Sequence, residues 1–530
     1  MNRFATLWGL GLLALMGRPG VGLADVKPHV LFTDGAVLQR AMPVPIWGTA
    51  DEGEEVVVKF QGQEVRTTAR DGKWKVKLAE LRADSPSTLT IQGKNKVEVA
   101  DVAVGEVWIC SGQSNMEFKL ARTVEADTAL AHANDPLLRL YTVPKTVSDE
   151  PLATIRRSDP PDHRAWEASD SESAAKFSAV AYFFGRDLRK ALGVPVGLIH
   201  TSWGGTAAEA WTSRGVLEAD PSLRPLVEGY EKSLDRYPEA LEKFKAAQLE
   251  HRKKVEQARA DGKEPPPAPR APVGPKTPHP AALYNGMIVP LQPYAIRGAI
   301  WYQGESNAGR AFQYRTLFPA MIKNWRDDWN QGDFPFLFVQ LAPYRAIETE
   351  PGDSDWAELR EAQLRTSRTV PATAMAVITD LGEQKDVHPR RKEPVGARLA
   401  LAARAMVYRD PVLGSGPEYD GMEVRGDRVV LRFRNVGRGL VARDGPLTGF
   451  AIAGEDRKFV NTQAAIEGET VVVHVDRVAG PVAVRFGWAN FPVVNLWNAD
   501  GLPASPFRTD DFPMITDPAN KDRPAKARAR

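Results

Sequence analysis

Four short stretches of this 530-residue chain set hydroxyl, imidazole, carboxylate and carboxamide groups just beyond apolar runs. In the first, Val107-Trp108-Ile109-Cys110 has the length and β-branched content of a buried strand, and Ser111-Gly112 stops it before Gln113-Ser114-Asn115-Met116. Apolar Met116, Leu120 and Val124 predict a helix close behind Ser114. A hydroxyl between a strand end and a helix N-terminus lies where backbone N–H groups converge and negative charge is favoured, which suits a nucleophile. A helix-capping serine is the plainer alternative. The second stretch is Ser202-Trp203-Gly204-Gly205-Thr206, whose paired glycines let a backbone N–H approach a ligand, or form an ordinary tight turn. In the third, Trp301 to Asn307, the neutral amides of Gln303 and Asn307 can stabilise an oxyanion without repelling a neutral ester, and Glu305 can order the loop. The fourth is Asp386-Val387-His388-Pro389. Histidine is the natural base for a hydroxyl nucleophile, and a carboxylate two residues away can fix its tautomer if the loop turns back. Together these groups would suffice for acyl transfer to a serine.

The elements that must carry them alternate. From 105 to 410, compact apolar runs at Val196–His200, Gly298–Tyr302, Phe336–Gln340 and Ala374–Ile378 read as strands of a parallel sheet covered on both faces. Ala179–Leu192 reads as an amphipathic helix between two of them. In such sheets, ligands sit at the carboxyl ends of the strands. Residues 25–104 and 411–515 instead show short strand-like runs with turn signals between them, as in Val56–Phe60, Lys73–Leu78 and Thr470–Val475, so two flanking sandwich-like β domains are expected. Residues 231–275 form a charged helical and proline-rich insertion, and 516–530 a basic tail expected to be disordered.

The bulk numbers narrow the partners. Sixty-nine basic and 67 acidic residues leave a formal charge of +2, which gives no case for nucleic acid. Arg3, the apolar run Phe4–Met16 and the small-residue site Gly22-Leu23-Ala24 read as a removable signal over residues 1–24, so a secreted or periplasmic protein is expected, with no membrane span. The lone cysteine, Cys110, allows neither an internal disulfide nor a cysteine-rich metal site.

Taken together, Gly112 to Met116, Trp203 to Thr206 with Trp211, Trp301 to Asn307 and Asp386 to Pro389 resemble the sialate O-acetylesterase family of the wider SGNH-type carbohydrate esterases. Val37-Leu38-Gln39-Arg40, Val44 to Gly48 and Leu283 to Ile288 also look like that family's patterns, so the resemblance covers most of residues 30–510. It implies an α/β protein: a flavodoxin-like three-layer α/β/α SGNH hydrolase domain flanked by all-β domains. It further implies Ser114 as nucleophile, His388 as general base and then acid, and Asp386 as the group orienting His388, with Asp380 and Glu383 as substitutes because the superfamily usually spaces its acid and histidine by one more residue. Ser306 stands where the superfamily commonly has an oxyanion-hole asparagine, making Gln303 or Asn307 the stand-in beside the N–H groups of Ser114 and Gly205. Gln113, Asn115, Trp203 and Glu305 are expected to contact substrate, and Trp211 and Trp301 either to stack on a pyranose or to pack in the core. The implied substrate is an O-acetylated carbohydrate, either sialic acid or a polysaccharide such as acetylxylan, with no cofactor and no metal. The competing readings are a non-catalytic glycan-binding protein on an esterase fold and an esterase for simple lipid esters.

Overall fold

The computed structural model describes residues 25–156, 165–426, 428–474, 478 and 480–520; the expected signal segment lies outside them. The site is organised by one strand, β1 (Lys96–Gly112), followed in the sheet by β2 (Asp135–Thr142), β3 (Val196–Ser202), β4 (Gly298–Tyr302), β5 (Phe336–Val339) and β6 (Thr373–Ala376). Their order is β2-β3-β1-β4-β5-β6, all neighbours parallel, with Glu167–Ser169 added antiparallel outside β2. The chain runs out from β1 to one edge, returns to β3 beside β1, then crosses to β4 on its other side. That reversal opens a crevice at the carboxyl ends of β3, β1 and β4, where α/β sheets bind ligands.

These strands are continuously apolar because both faces are covered. Alternate residues feed two apolar clusters: Trp108, Cys110, Leu198 and Ile300 pack with Val180, Phe184, Leu399 and Ala403, while Val107, Ile109, Ile199 and Trp301 pack with Leu317, Met321, Trp325 and Leu359. The contributing helices are α1 (Ala179–Leu192), α2 (Ala311–Trp329), α3 (Asp355–Thr369) and α4 (Glu393–Met406). α1 covers the full predicted span, capped by Ser178 Oγ accepting from Ala181 N–H and closed by Gly193 in the left-handed conformation.

The expected boundary at 104/105 lies inside β1. The first half of this strand pairs antiparallel with Ser87–Gln92 and parallel with Val37–Gln39, while its second half is the centre of the parallel sheet. Val37 to Arg40 is a joint: Gln39 Oε1 accepts from Val107 N–H at 2.8 Å, and buried Glu106 holds Arg40 and Arg297, each at 2.6 Å. After α4 the described residues form small antiparallel sheets, including Arg428–Arg434 against Thr470–His474. The expected insertion at 231–275 begins inside a longer helix, Arg224–Ala260, and the chain returns along it, with His251 Nε2 2.9 Å from Pro266 O.

Two expectations need correction. The helix behind Ser114 is a single turn, Ser114–Glu117, because Phe118 turns extended (ψ 119°) and packs inward. The tail does not begin at 516: Thr516 is buried and its Oγ1 and N–H both donate to Glu358 Oε2, and it is from 521 that residues lie outside the description.

Candidate active site

Gly112 ends β1 at φ +138°, where a Cβ would stand 2.1 Å from Tyr302 O, so a side chain there would push β4 away. The chain then turns, and Gln113 N–H donates to Tyr302 O at 2.9 Å. This sets Ser114 at the crevice mouth. From the loop between β6 and α4, His388 Nε2 comes within 2.8 Å of Ser114 Oγ, and Asp386 Oδ1 lies 3.2 Å from His388 Nδ1 while also accepting the His388 backbone N–H at 2.9 Å. Asp386 therefore curls the loop back on itself. The two alternative acids are engaged elsewhere: Asp380 grips Arg398 in a bidentate pair at 2.6 and 2.8 Å, and Glu383 accepts from Arg390 N–H. Asp386 and His388 are open to solvent, at 53% and 34% side-chain exposure, so the charge of the pair is partly screened.

The second and third loops flank Ser114. A Cβ on Gly204 would sit 3.2 Å from Ser114 Cβ, and Gly205, at φ +74°, has open space around the corresponding position. Gly204 N–H donates to Glu117 Oε2 at 2.7 Å, and Lys145 Nζ donates to Glu117 Oε1 at 2.5 Å while standing 5.3 Å from the centre of the half-buried Trp203 ring.

The amides do not do what was expected of them. Gln303 is fully buried; its Nε2 donates to Asn307 Oδ1 at 2.6 Å and to Thr206 O at 3.3 Å, so both amide protons are engaged. Asn307 Oδ1 also accepts from Ala208 N–H, and its Nδ2 donates to buried Glu209. The two residues tie the β4 loop to the β3 loop. Gln113, Asn115 and Glu305, expected at the substrate, are likewise turned inward. Gln113 Oε1 accepts from Ser306 N–H at 3.3 Å, and Asn115 Nδ2 donates to Glu305 Oε1 at 2.6 Å and to Val387 O at 3.0 Å. Burial raises the Glu305 carboxyl above the usual carboxylate range, and its Oε2 is buried without a hydrogen-bond partner. Trp211 and Trp301 pack edge to face in the core, 6.0 Å apart. For the polar residues the physical reason is common: side chains within five residues of a buried strand's end satisfy neighbouring loop groups more readily than they reach solvent.

Three residues near the site escaped the sequence reading. Glu117 and Lys145 come from separate segments, and nothing local marks them. Lys392 is wholly buried at the start of α4, and burial pulls it down to about 7. A lysine at a helix N-terminus faces the positive end of the dipole, and that anomaly was visible in the sequence. Among the described residues no cluster of histidine, cysteine and carboxylate groups could hold a metal ion, and no helix is long and apolar enough to cross a membrane. A cavity of about 690 Å³ lies elsewhere, lined by Phe459, Trp488 and Phe512.

A sequence profile described as "Carbohydrate esterase, sialic acid-specific acetylesterase" matches residues 278–404, which include the β4 and His388 loops. The sialate O-acetylesterase of Rattus norvegicus is 29% identical over 94% of this chain and 97% of its own, and that of Homo sapiens 28% identical over 96% and 100%. A carbohydrate acetylesterase of Xanthomonas citri, known from its crystal structure, superposes with a TM-score of 0.77 at 38% identity, covering 92% of this chain and all of its own. By sequence over nearly its full length and by fold, this chain belongs to the sialate O-acetylesterase family of carbohydrate acetylesterases.

Proposed function

We propose that this enzyme removes acetyl groups from sugar hydroxyls in two steps through a Ser114 acyl-enzyme. The observation that carries the reading is the 2.8 Å approach of His388 Nε2 to Ser114 Oγ, with Asp386 on the other ring nitrogen. Ser114 Oγ attacks the acetyl carbonyl carbon as its proton passes to His388 Nε2. The bond to the sugar oxygen breaks, and His388 returns the proton to that leaving oxygen. Water then attacks the acetyl-serine, giving its proton to His388; acetate leaves, and the proton goes back to Ser114 Oγ. The oxyanion of each step is assigned to the backbone N–H groups of Ser114 and Gly205, since Gln303 and Asn307 are engaged inside the loops. Each such donor supplies about 3 kcal/mol of transition-state stabilisation.

The substrate is taken as a sugar without a carboxylate, supported by the pairing of the cation beside Trp203. That cation, Lys145, is already paired with Glu117; the His388 loop carries both signs, Glu383 and Asp386 with Lys385, Arg390 and Arg391. A sialate would have to displace Glu117 to reach Lys145. Trp203 is then the ring on which a pyranose would stack. The same reading takes the parallel sheet as a flavodoxin-like three-layer hydrolase core: without edge strand β2 the order becomes second-first-third-fourth-fifth. It takes 25–104 and 411–515 as accessory β units and residues 1–24 as an export signal.

The test is acetate release by the mature enzyme and its Ser114→Ala variant from p-nitrophenyl acetate, acetylxylan, O-acetyl sialic acid and a long-chain ester. Wild-type activity on the acetyl substrates that vanishes in a folded Ser114→Ala protein supports the mechanism; equal rates sink it. A preference for O-acetyl sialic acid over acetylxylan would overturn the neutral-sugar reading.

A further inference from the structure

The reaction as derived leaves one buried cation unused. Lys392 stands four residues after His388 and directly before α4, with its side chain wholly buried. Neither position is cheap for an ammonium: taking it out of water is costly, and the adjoining helix end is itself positive. Two aromatic rings offset part of this, Phe118 and Tyr302, with centres 5.0 and 5.3 Å from Nζ. The hydrogen bond it makes is to Asn115 Oδ1.

Asn115 continues the chain. Its Nδ2 donates to Val387 O at 3.0 Å and to Glu305 Oε1 at 2.6 Å. One amide thus joins three loops: it follows Ser114 directly, it grips the carbonyl just before His388, and it holds the β4 loop at Glu305. Nζ donating to Oδ1, with Val387 O and Glu305 Oε1 accepting from Nδ2, decides which way the amide faces. Flipped, the amide would set its oxygen against the two acceptors, Val387 O and Glu305 Oε1, and its NH₂ against the ammonium. Further ties of the His388 loop run from His388 N–H to Asp386, from Arg390 N–H to Glu383, between Arg390 and the backbone of Arg122 and Val124, and from Lys392 N–H to Glu125, none of them to the carbonyl beside His388.

We propose that Lys392 and Asn115 form a buried brace whose task is to position His388 against Ser114. Lys392 locks the amide, the amide locks the Val387 carbonyl, and the imidazole one residue further on is delivered to the hydroxyl. Neither residue touches the substrate; both are positioning residues. The charged groups around Lys392 are Glu305, Asp386, Glu383 and Glu125, so its charge also balances the buried carboxylate that the same amide holds. An ammonium in this place is a poor choice for stability alone, since apolar replacements of buried charges are often neutral or stabilising.

The inference rests on Ser114 and His388 being the reacting pair, and its test is separable from theirs. Lys392→Met, Asn115→Ala and the double variant are compared with wild type for kcat and KM on p-nitrophenyl acetate and for Tm. The active fraction is counted by titration with a serine-directed organophosphonate. Each single variant is expected to lose kcat by about 10- to 100-fold, as small misplacements of a catalytic group do, with KM within about twofold and with Lys392→Met keeping the wild-type Tm. The double variant is expected to be no slower than Asn115→Ala to within about threefold, because both substitutions break one chain of contacts. Wild-type kcat in Lys392→Met overturns the proposal. So do fold-losses that multiply in the double variant, or a lower Tm with the remaining titrated sites turning over at the wild-type rate. Retained activity in Ser114→Ala would instead remove the reacting pair itself, whatever the Lys392 variants do.

Discussion

His388 Nε2 lies 2.8 Å from Ser114 Oγ across 274 residues of sequence, Ser114 just beyond strand β1 and His388 in the loop that joins β6 of the same parallel sheet to α4. Removing either partner leaves the other without its function while disturbing no buried packing. Ser114→Ala and His388→Ala are each expected to lower kcat on p-nitrophenyl acetate by at least about 10³-fold, with Tm within about 2 °C of wild type. Steady-state kinetics and thermal unfolding on the same preparations check this.

Asp386 is a weaker partner than a buried triad acid because it is half exposed. Water screens its charge, and part of its work is the bond to the His388 backbone N–H, which an asparagine oxygen can also accept. Asp386→Asn should therefore lower kcat by only about 10- to 100-fold, well short of the roughly 10⁴ that a buried acid supplies. A loss near 10⁴ would mean that the pair is sealed from solvent during turnover.

Gln303 should behave as a structural residue. Its amide satisfies Asn307 Oδ1 and Thr206 O, and its Oε1 accepts from Tyr314 OH at 2.9 Å, all in the interior. Gln303→Ala strands those groups and is expected to destabilise by about 1–3 kcal/mol, with kcat per folded molecule within about fivefold of wild type. Chemical denaturation with active-site titration separates the two effects.

Glu117→Gln should change selectivity. It weakens the hold on Lys145 and leaves a free ammonium beside Trp203. The ratio of kcat/KM for O-acetyl sialic acid to that for acetylxylan is expected to rise about fivefold, the scale of one partly exposed charge interaction. An unchanged ratio would place Lys145 outside the substrate's reach.

Acid should destabilise the fold through two histidines held neutral in the interior, His29 and His200, each pulled down to about 4 by burial. Between about pH 6.5 and 4 the unfolded chain binds these protons and the folded chain does not. Stability therefore falls as pH drops through that window and levels off below it, each histidine contributing about 3 kcal/mol of the loss. His200→Gln should flatten the slope, which denaturation at pH 7, 5.5 and 4.5 would show.

Much of this was legible in the chain. Val196 to His200, Gly298 to Tyr302 and Ala179 to Leu192 declare their elements because burial on two faces, or on one stripe, demands an uninterrupted or a periodic apolar pattern. Abrupt ends at Ser111-Gly112 and Trp203-Gly204-Gly205 marked where polar groups would gather. Less legible was the direction of each polar side chain in those loops. Gln113, Asn115, Gln303, Glu305 and Asn307 carry the right functional groups, yet each turns to a neighbouring loop, because a buried carbonyl or N–H within reach outweighs a solvent-facing position.

The sequence by itself determined which residue types stand at the carboxyl ends of β1, β3 and β4 and in the loop after β6, since local apolar runs and their terminators set those positions. Only the tertiary structure decided that Asp386 rather than Asp380 or Glu383 meets His388, and that Lys145 and Lys392 reach Glu117 and Asn115, from which they are distant in sequence. Those choices depend on strand order and on which partner each polar atom finds across the sheet, and no local pattern of residues encodes either.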